Sequence, residues 1–373
     1  MENCLRIAYL NTRYQTQNSS GGATHIKEFI EHMVEKGHVI FAYKSNQHPK
    51  IIPIPTRKFK RIINLLKWDV IYIRYDGNLN PTIQISKSPY RIFYKHSLIV
   101  WEFNTIPSYL FSKNKTEKDY LHQIDCLRDE AKISDLAICV TEEMSDFVTE
   151  TLGFNNTVTI PNGANPEHFH PSLPTVSSLK YYKEKINIVW IGSIDYPYND
   201  TDLLLATSKE FWSSGIDKTH FHIIGPYQQE LAQIITPNVT LHGPQSYELL
   251  PNWLSGMDIG LLLYKPSQSD YGSPIKLFDY MASGLAVIST PHPQVSRILN
   301  EIGAGDYVLN GNDPQELSSK IRFLIDNPDQ LDKLQSSARI IIKNKYNWET
   351  NTNAVLSSIS TYMQKRHKGR LIG

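Results

Sequence analysis

The sequence predicts an α/β protein in which one architecture, a doubly wound parallel sheet flanked by helices, is used twice. At 373 residues the chain is too long for one ordinary domain and long enough to bury two cores. Short apolar runs bounded by turn residues alternate with longer stretches of helical period, the rhythm of strand–helix–strand units. That rhythm occurs in two series, separated by Pro171–Lys185, a stretch with prolines, serines and lysines and neither period.

The first series reads LRIAYLN (5–11), HVIFAYK (38–44), VIYIRY (70–75), LIVWEF (98–103) and LAICV (136–140). The second reads INIVWIG (186–192), HFHIIG (220–225), VTLHG (239–243), DIGLLLY (258–264) and AVIST (286–290). Pro314–Lys345 follows as two helices and Trp348–Met363 as a last amphipathic one. The expected domains are 1–175 and 176–345, with 346–373 crossing back to the first. Two such domains facing each other leave a cleft at the carboxyl ends of both sheets, where ligands of these folds bind.

Composition narrows the function classes. Hydrophobic content of 40% suits a folded enzyme, and a net charge of +1 argues against a surface built for nucleic acid. Residues 1–100 hold 15 Lys and Arg against 6 Asp and Glu, and residues 101–175 hold 5 against 12. Within the basic front, Arg57, Lys58, Lys60, Arg61 and Lys67 surround an apolar stripe of Phe59, Ile62, Ile63, Leu65 and Leu66. This is either an outer helix packed on the sheet or a peripheral contact with anionic membrane. The cysteines Cys4, Cys126 and Cys139 lack metal-ligand spacing and read as buried free thiols. Thirteen histidines include no HExxH pattern, so no metal is expected. With no leader or membrane-span pattern, the expected location is the cytoplasm.

The most informative stretch is DYGSPIKLFDYMASGLAVIST (270–290). Tyr271, Gly272, Ser273, Pro274 and Ile275 turn into a helix whose unpaired amides, with Lys276 on the first turn, can hold a diphosphate. Asp279, one turn deeper, stands where a ribose diol would donate to it. The structural alternative is a plain strand-to-helix turn. Gly225 and the pair His242–Gly243 end strands of the same sheet and let backbone approach a base and its ribose.

These residues resemble the retaining GT-B glycosyltransferases of the glycosyl transferases group 1 type. The resemblance rests on SSGGATHIKEFIEHMVEKGHVI (19–40), VIYIRYDGNLN (70–80), IVWEFNTIP (99–107), TIPNGANPEHFHP (159–171), the 270–290 segment and YNWE (346–349), in that order. It implies that Gly21 and Gly22 lie under the donor diphosphate, that Asn162 and Gly163 face the cleft, and that Glu102, in a Glu-x-Asn pattern with Asn104, contacts the reacting sugar or the acceptor hydroxyl. A salt bridge from Glu102 to Arg74 is the competing reading, and Arg74 and Asp76 would share the cleft floor. His25 either faces the donor or packs locally, with packing favoured.

Two departures stand out. Where the family has two glutamates eight positions apart, this chain has Tyr271 and Asp279. Where it has Arg and Lys after the first donor-domain strand, this chain has Gly192 and Ser193, so Lys276 is expected to supply the charge. The resemblance implies sugar transfer from a nucleotide-diphosphate sugar, UDP- or GDP-linked, without metal or other cofactor, to a carbohydrate, lipid-linked or small-molecule acceptor. The expected course is front-face and retaining, with Lys276 and Glu102 as the catalytic pair. The alternatives are a catalytically silent nucleotide-sugar-binding scaffold and an epimerase on the same fold.

Overall fold

In a computed structural model of the protein, the described residues are 4–10, 21–42, 51–54, 68–77, 79, 84–88, 96–107, 116–194, 196–266 and 270–372, with side chains described to Arg366. The strands are β1 (Arg6–Leu10), β2 (Val39–Ala42), β3 (Ile51–Pro53), β4 (Val70–Tyr75), β5 (Leu98–Phe103), β6 (Leu136–Cys139), β7 (Thr157–Thr159), β8 (Ile186–Ile191), β9 (Thr219–Ile224), β10 (Val239–Gly243), β11 (Ile259–Leu262) and β12 (Ala286–Ser289). The helices are α1 (Gly21–Glu35), α2 (Glu117–Ala131), α3 (Glu142–Glu150), α4 (Thr201–Ser213), α5 (Leu250–Leu254), α6 (Ile275–Ala282), α7 (Pro293–Glu301), α8 (Pro314–Asp326), α9 (Pro328–Asn344) and α10 (Trp348–Ile372). The Arg57–Lys67 stripe lies outside the described residues.

The chain divides into two compact units. Unit one comprises residues 1–162, 271–273 and 348–373, and unit two comprises 163–270 and 274–347. The change-over precedes the expected 175/176 boundary because Ala164 and Phe169 already sit in the core of unit two. The terminal helix α10 belongs with unit one: Val355, Leu356 and Ile359 are buried against α1 and the sheet.

Unit one holds a seven-stranded sheet in the order β3-β2-β1-β4-β5-β6-β7, with every neighbour parallel. Strand alternation divides its side chains between two cores. Val70 and Tyr72 of β4, with Leu98 and Val100 of β5, face α1 and α10. Ile71, Ile73 and Tyr75, with Trp101 and Phe103, face α2 and α3. Thr116 and Asp119 cap α2 reciprocally, and the Thr141 hydroxyl accepts from the Met144 amide to start α3.

Unit two holds a five-stranded parallel sheet, β10-β9-β8-β11-β12, around one continuous core. In both sheets the order reverses beside the first strand, between β1 and β4 and between β8 and β11. Such a reversal opens a crevice outside the carboxyl ends of the flanking strands, because the helices on either side leave in opposite directions.

Candidate active site

Each unit carries charged side chains at its own strand-order reversal. In unit one, Arg74 and Glu102 are register partners near the ends of β4 and β5. Glu102 is 1% exposed and accepts from four donors: Arg74 Nη1 and Asn104 Nδ2 on Oε1, His25 Nε2 at 3.0 Å on the same oxygen, and the Tyr72 hydroxyl at 2.7 Å on Oε2. Burial acts to raise the Glu102 carboxyl. The charges of His25 and Arg74, with hydrogen bonds from His25 and Tyr72, override it and hold the group well below the usual carboxylate range. Burial together with the Glu102 charge pushes the Tyr9 and Tyr72 phenols well up.

His25 follows the Gly21–Gly22 pair at the start of α1, and its other ring nitrogen, Nδ1, lies 2.6 Å from Asn162 Oδ1. Asn162 donates from Nδ2 to the Ser273 carbonyl at 2.7 Å and from its backbone N–H to Ser273 Oγ at 3.1 Å. Thr141 donates to the Tyr271 carbonyl at 3.1 Å, and the Tyr271 ring stands edge-on to Phe147. Tyr271, at the position of a family glutamate, is tied by its backbone and stays 37% exposed. Asp76 is buried directly after β4, and Gly163 is buried directly after Asn162. Beside His25 and Glu102 lies a cavity of about 20 Å³, bordered also by Phe29, Tyr72, Trp348 and Asn351. It has room for one water.

In unit two, α6 starts after Pro274 with no side-chain cap, leaving its first amides to other partners. Lys276 reaches from its first turn to the end of β8, where Nζ donates to the Ile191 carbonyl at 3.1 Å. The Ile191 N–H in turn donates to the Tyr280 hydroxyl at 2.8 Å, so residues one turn apart on α6 hold both backbone polar groups of one β8 residue. The ammonium lies over the rings of Trp190, at 5.0 Å, and Tyr264, at 4.9 Å. Burial pushes it down to about 7. Lys276 therefore stands beside Gly192 and Ser193, where the family carries its own basic residues. Asp279 is buried one turn further along α6.

The strand ends beside Lys276 touch through glycine. Gly192 N–H donates to the Ile224 carbonyl and Gly225 N–H to the Gly243 carbonyl. Gly225 has φ +144°, and a Cβ there would lie 1.9 Å from the Gly192 carbonyl oxygen, so no other residue fits. His242 points its ring into the unit. Asn187 donates from Nδ2 to two carbonyls, which turns Oδ1 toward His222 Nε2 at 3.0 Å; His222 Nδ1 then accepts from His242 Nε2 at 2.9 Å. Burial pushes His222 down to about 2 and His220 and His242 down to about 4, so the chain of rings is neutral.

The structure thus joins Glu102, Arg74, Asn104, Asn162 and Ser273 in one network through His25 and sets Lys276 on the Ile191 carbonyl, one residue before Gly192. The sequence alone does not reveal what connects the first group, because it offers His25 only as a donor-facing or a packing residue, with packing favoured. The signal was its place on the first turn after two glycines, facing a strand that alternates Tyr72 and Arg74. Nor does the sequence reveal the ring cage of Trp190 and Tyr264, which are far apart in the chain. Among the described residues no group of three or more His, Cys, Asp or Glu is disposed to hold a metal ion.

Two parallel sheets of this order with these strand-end sites define a GT-B fold. Solved structures share it: sucrose-phosphate synthase from Thermosynechococcus elongatus (TM-score 0.68, 13% identity, 98% of this chain and 100% of that one) and Anabaena Alr3699/HepE in complex with UDP-glucose (TM-score 0.69, 13% identity, 96% and 100%). Residues 185–327, which form most of unit two, match the family Glycosyl transferases group 1. A putative teichuronic acid biosynthesis glycosyltransferase, TuaH of Bacillus subtilis (strain 168), is 31% identical over 157 residues, which span 40% of this chain and 38% of that protein.

Proposed function

We propose that the protein is a retaining glycosyltransferase that moves a sugar from a UDP- or GDP-sugar to an acceptor hydroxyl without a metal ion. The observation that carries this reading is the ammonium of Lys276, seated at the strand-order reversal of unit two beside the uncapped start of α6. A diphosphate there would meet a cation and helix amides together, and charge developing on the leaving phosphate would be stabilised without metal. Asp279 would take the ribose hydroxyls, and Gly192, Gly225 and Gly243 would leave room for the nucleoside.

On the acceptor side, Glu102 would orient the incoming hydroxyl. It is held too firmly in its ionised form, by too many donors, to serve as a mobile nucleophile. The departing phosphate would then accept the acceptor's proton on the face it leaves, which retains configuration. A lipid-linked or carbohydrate acceptor fits the polymer-building context of the TuaH relative.

A thermal-shift screen of UDP, GDP and their sugars identifies the base. Proton NMR of donor with purified protein and chelator then reads turnover and the anomeric configuration of the product. Retained configuration, with activity lost in Lys276→Ala and Asp279→Ala, supports the proposal. Donor binding without transfer or hydrolysis would instead mark a silent scaffold, the outcome favoured by Tyr271 standing where relatives carry an acid. Among the described residues no helix is long and apolar enough to cross a membrane. Co-sedimentation with anionic vesicles tests peripheral attachment.

A further inference from the structure

We infer that His25 is a positioning residue which, carrying protons on both ring nitrogens, sets Glu102 and the Tyr271–Ser273 stretch with one side chain. The inference rests on the transferase reading of Glu102 for its functional part and on hydrogen-bond geometry for the rest. Asn162 uses its Nδ2 on the Ser273 carbonyl at 2.7 Å, which leaves Oδ1 facing His25 Nδ1 at 2.6 Å. His25 Nε2 meets Glu102 Oε1 at 3.0 Å. Both partners are acceptors. A neutral imidazole has a single N–H and would set a lone pair against an oxygen at one of these contacts, whereas the imidazolium donates to both.

Burial sharpens the point. His25 is 6% exposed, Glu102 1%, Asn162 5% and Ser273 9%, so a bond lost here is poorly replaced. The titratable groups around the ring and its carboxylate partner are Glu102 on β5, Tyr72 and Arg74 on β4 and Tyr9 on β1. The α10 side contributes the Trp348 indole, edge-on at 5.0 Å, and α1 itself contributes Phe29. Glu102 is the anion in contact with the ring, and it matches the charge the second proton creates.

One residue on α1 therefore holds the orientation of the Glu102 carboxylate, through Oε1, and the backbone of Ser273, through Asn162. Ser273 is followed immediately by Pro274 and the first turn of α6. A ring that merely filled space between Phe29 and Trp348 would do neither.

The test has two readouts on the intact chain. Nitrogen-15 NMR of the imidazoles at pH 7, with His25 assigned by its absence in His25→Gln, should show both His25 nitrogens protonated; one bare ring nitrogen overturns the inference whatever the activity. In kinetics, His25→Phe keeps the ring contacts and should lower kcat about 10²-fold, with His25→Gln, which restores one donor, falling between. Wild-type kcat in His25→Phe overturns the positioning role. If His25→Phe fails to fold, His25→Gln carries the kinetic arm, and a wild-type kcat there has the same meaning. Absence of turnover in the wild-type protein would sink the transferase reading, while the NMR result would still decide the protonation of His25.

Discussion

The two units set opposite charges at equivalent places, Glu102 buried and Lys276 half-buried, and treat them differently. In unit one the Glu102 carboxylate is saturated by Arg74, Asn104, His25 and Tyr72, and its ionised form is favoured despite full burial. In unit two the Lys276 ammonium has a carbonyl and two ring faces and, among the described residues, no carboxylate. Burial dominates there, and the charged form is disfavoured. A saturated charge is part of the scaffold. An uncompensated one is open to an anion, and in the proposed reaction that anion is the donor diphosphate.

The largest test of this contrast removes a partner from the saturated charge. Arg74→Met should cost about 3–5 kcal/mol in denaturant unfolding, because it strands a buried carboxylate. Glu102 is held below its unfolded value, so its share of stability is present above the ordinary carboxylate range and is lost as pH falls through and below it.

Removing the uncompensated charge should do the reverse. Lys276→Met is expected to lower sugar transfer or donor hydrolysis about 10²–10³-fold, yet to raise stability at pH 6 by about 1–2 kcal/mol. The sign follows from linkage. The folded-state value, about 7, lies below the unfolded one, so the unfolded chain binds more protons between them, and wild-type stability climbs as pH rises through that window. Equal destabilisation by both substitutions would break the comparison.

Tyr72→Phe, which deletes one of the four donors to Glu102, should cost about 1.5–3 kcal/mol by thermal or denaturant unfolding and leave nucleoside diphosphate affinity within error. The smallest effect concerns protons. Above pH 7 a diphosphate must draw a proton onto Lys276, so UDP or GDP affinity should weaken by up to about tenfold per pH unit. Calorimetry in buffers of different ionisation enthalpy should show proton uptake at pH 8 that Lys276→Met abolishes.

Much of this was legible in the chain. The ten apolar runs correspond to ten of the twelve strands among the described residues, since a strand buried on both faces leaves an unmistakable signal. The two strands that were missed, β3 and β7, are three residues each and lie at opposite edges of their sheet, β3 ending in Pro53. Short edge strands bury little and need neither apolar content nor alternation. The turn into α6 was equally clear, because Gly-Ser-Pro before an apolar period leaves few alternatives. The role of His25 was not, since a histidine on the buried face of a helix reads the same whether it meets a phenylalanine or a carboxylate.

By itself, then, the order of residues determined the doubled α/β architecture, the helix start that carries Lys276 and the glycines at the strand ends, all of which depend on local periodicity and backbone freedom. Only the tertiary structure decided how the charges are partnered: Glu102 with residues from α1, β4 and its own loop, and Lys276 with the last carbonyl of β8 and two rings. Electrostatic partnership is a matter of ångströms between segments distant in the chain, and the ionisation of a buried group follows those distances rather than its neighbours in sequence.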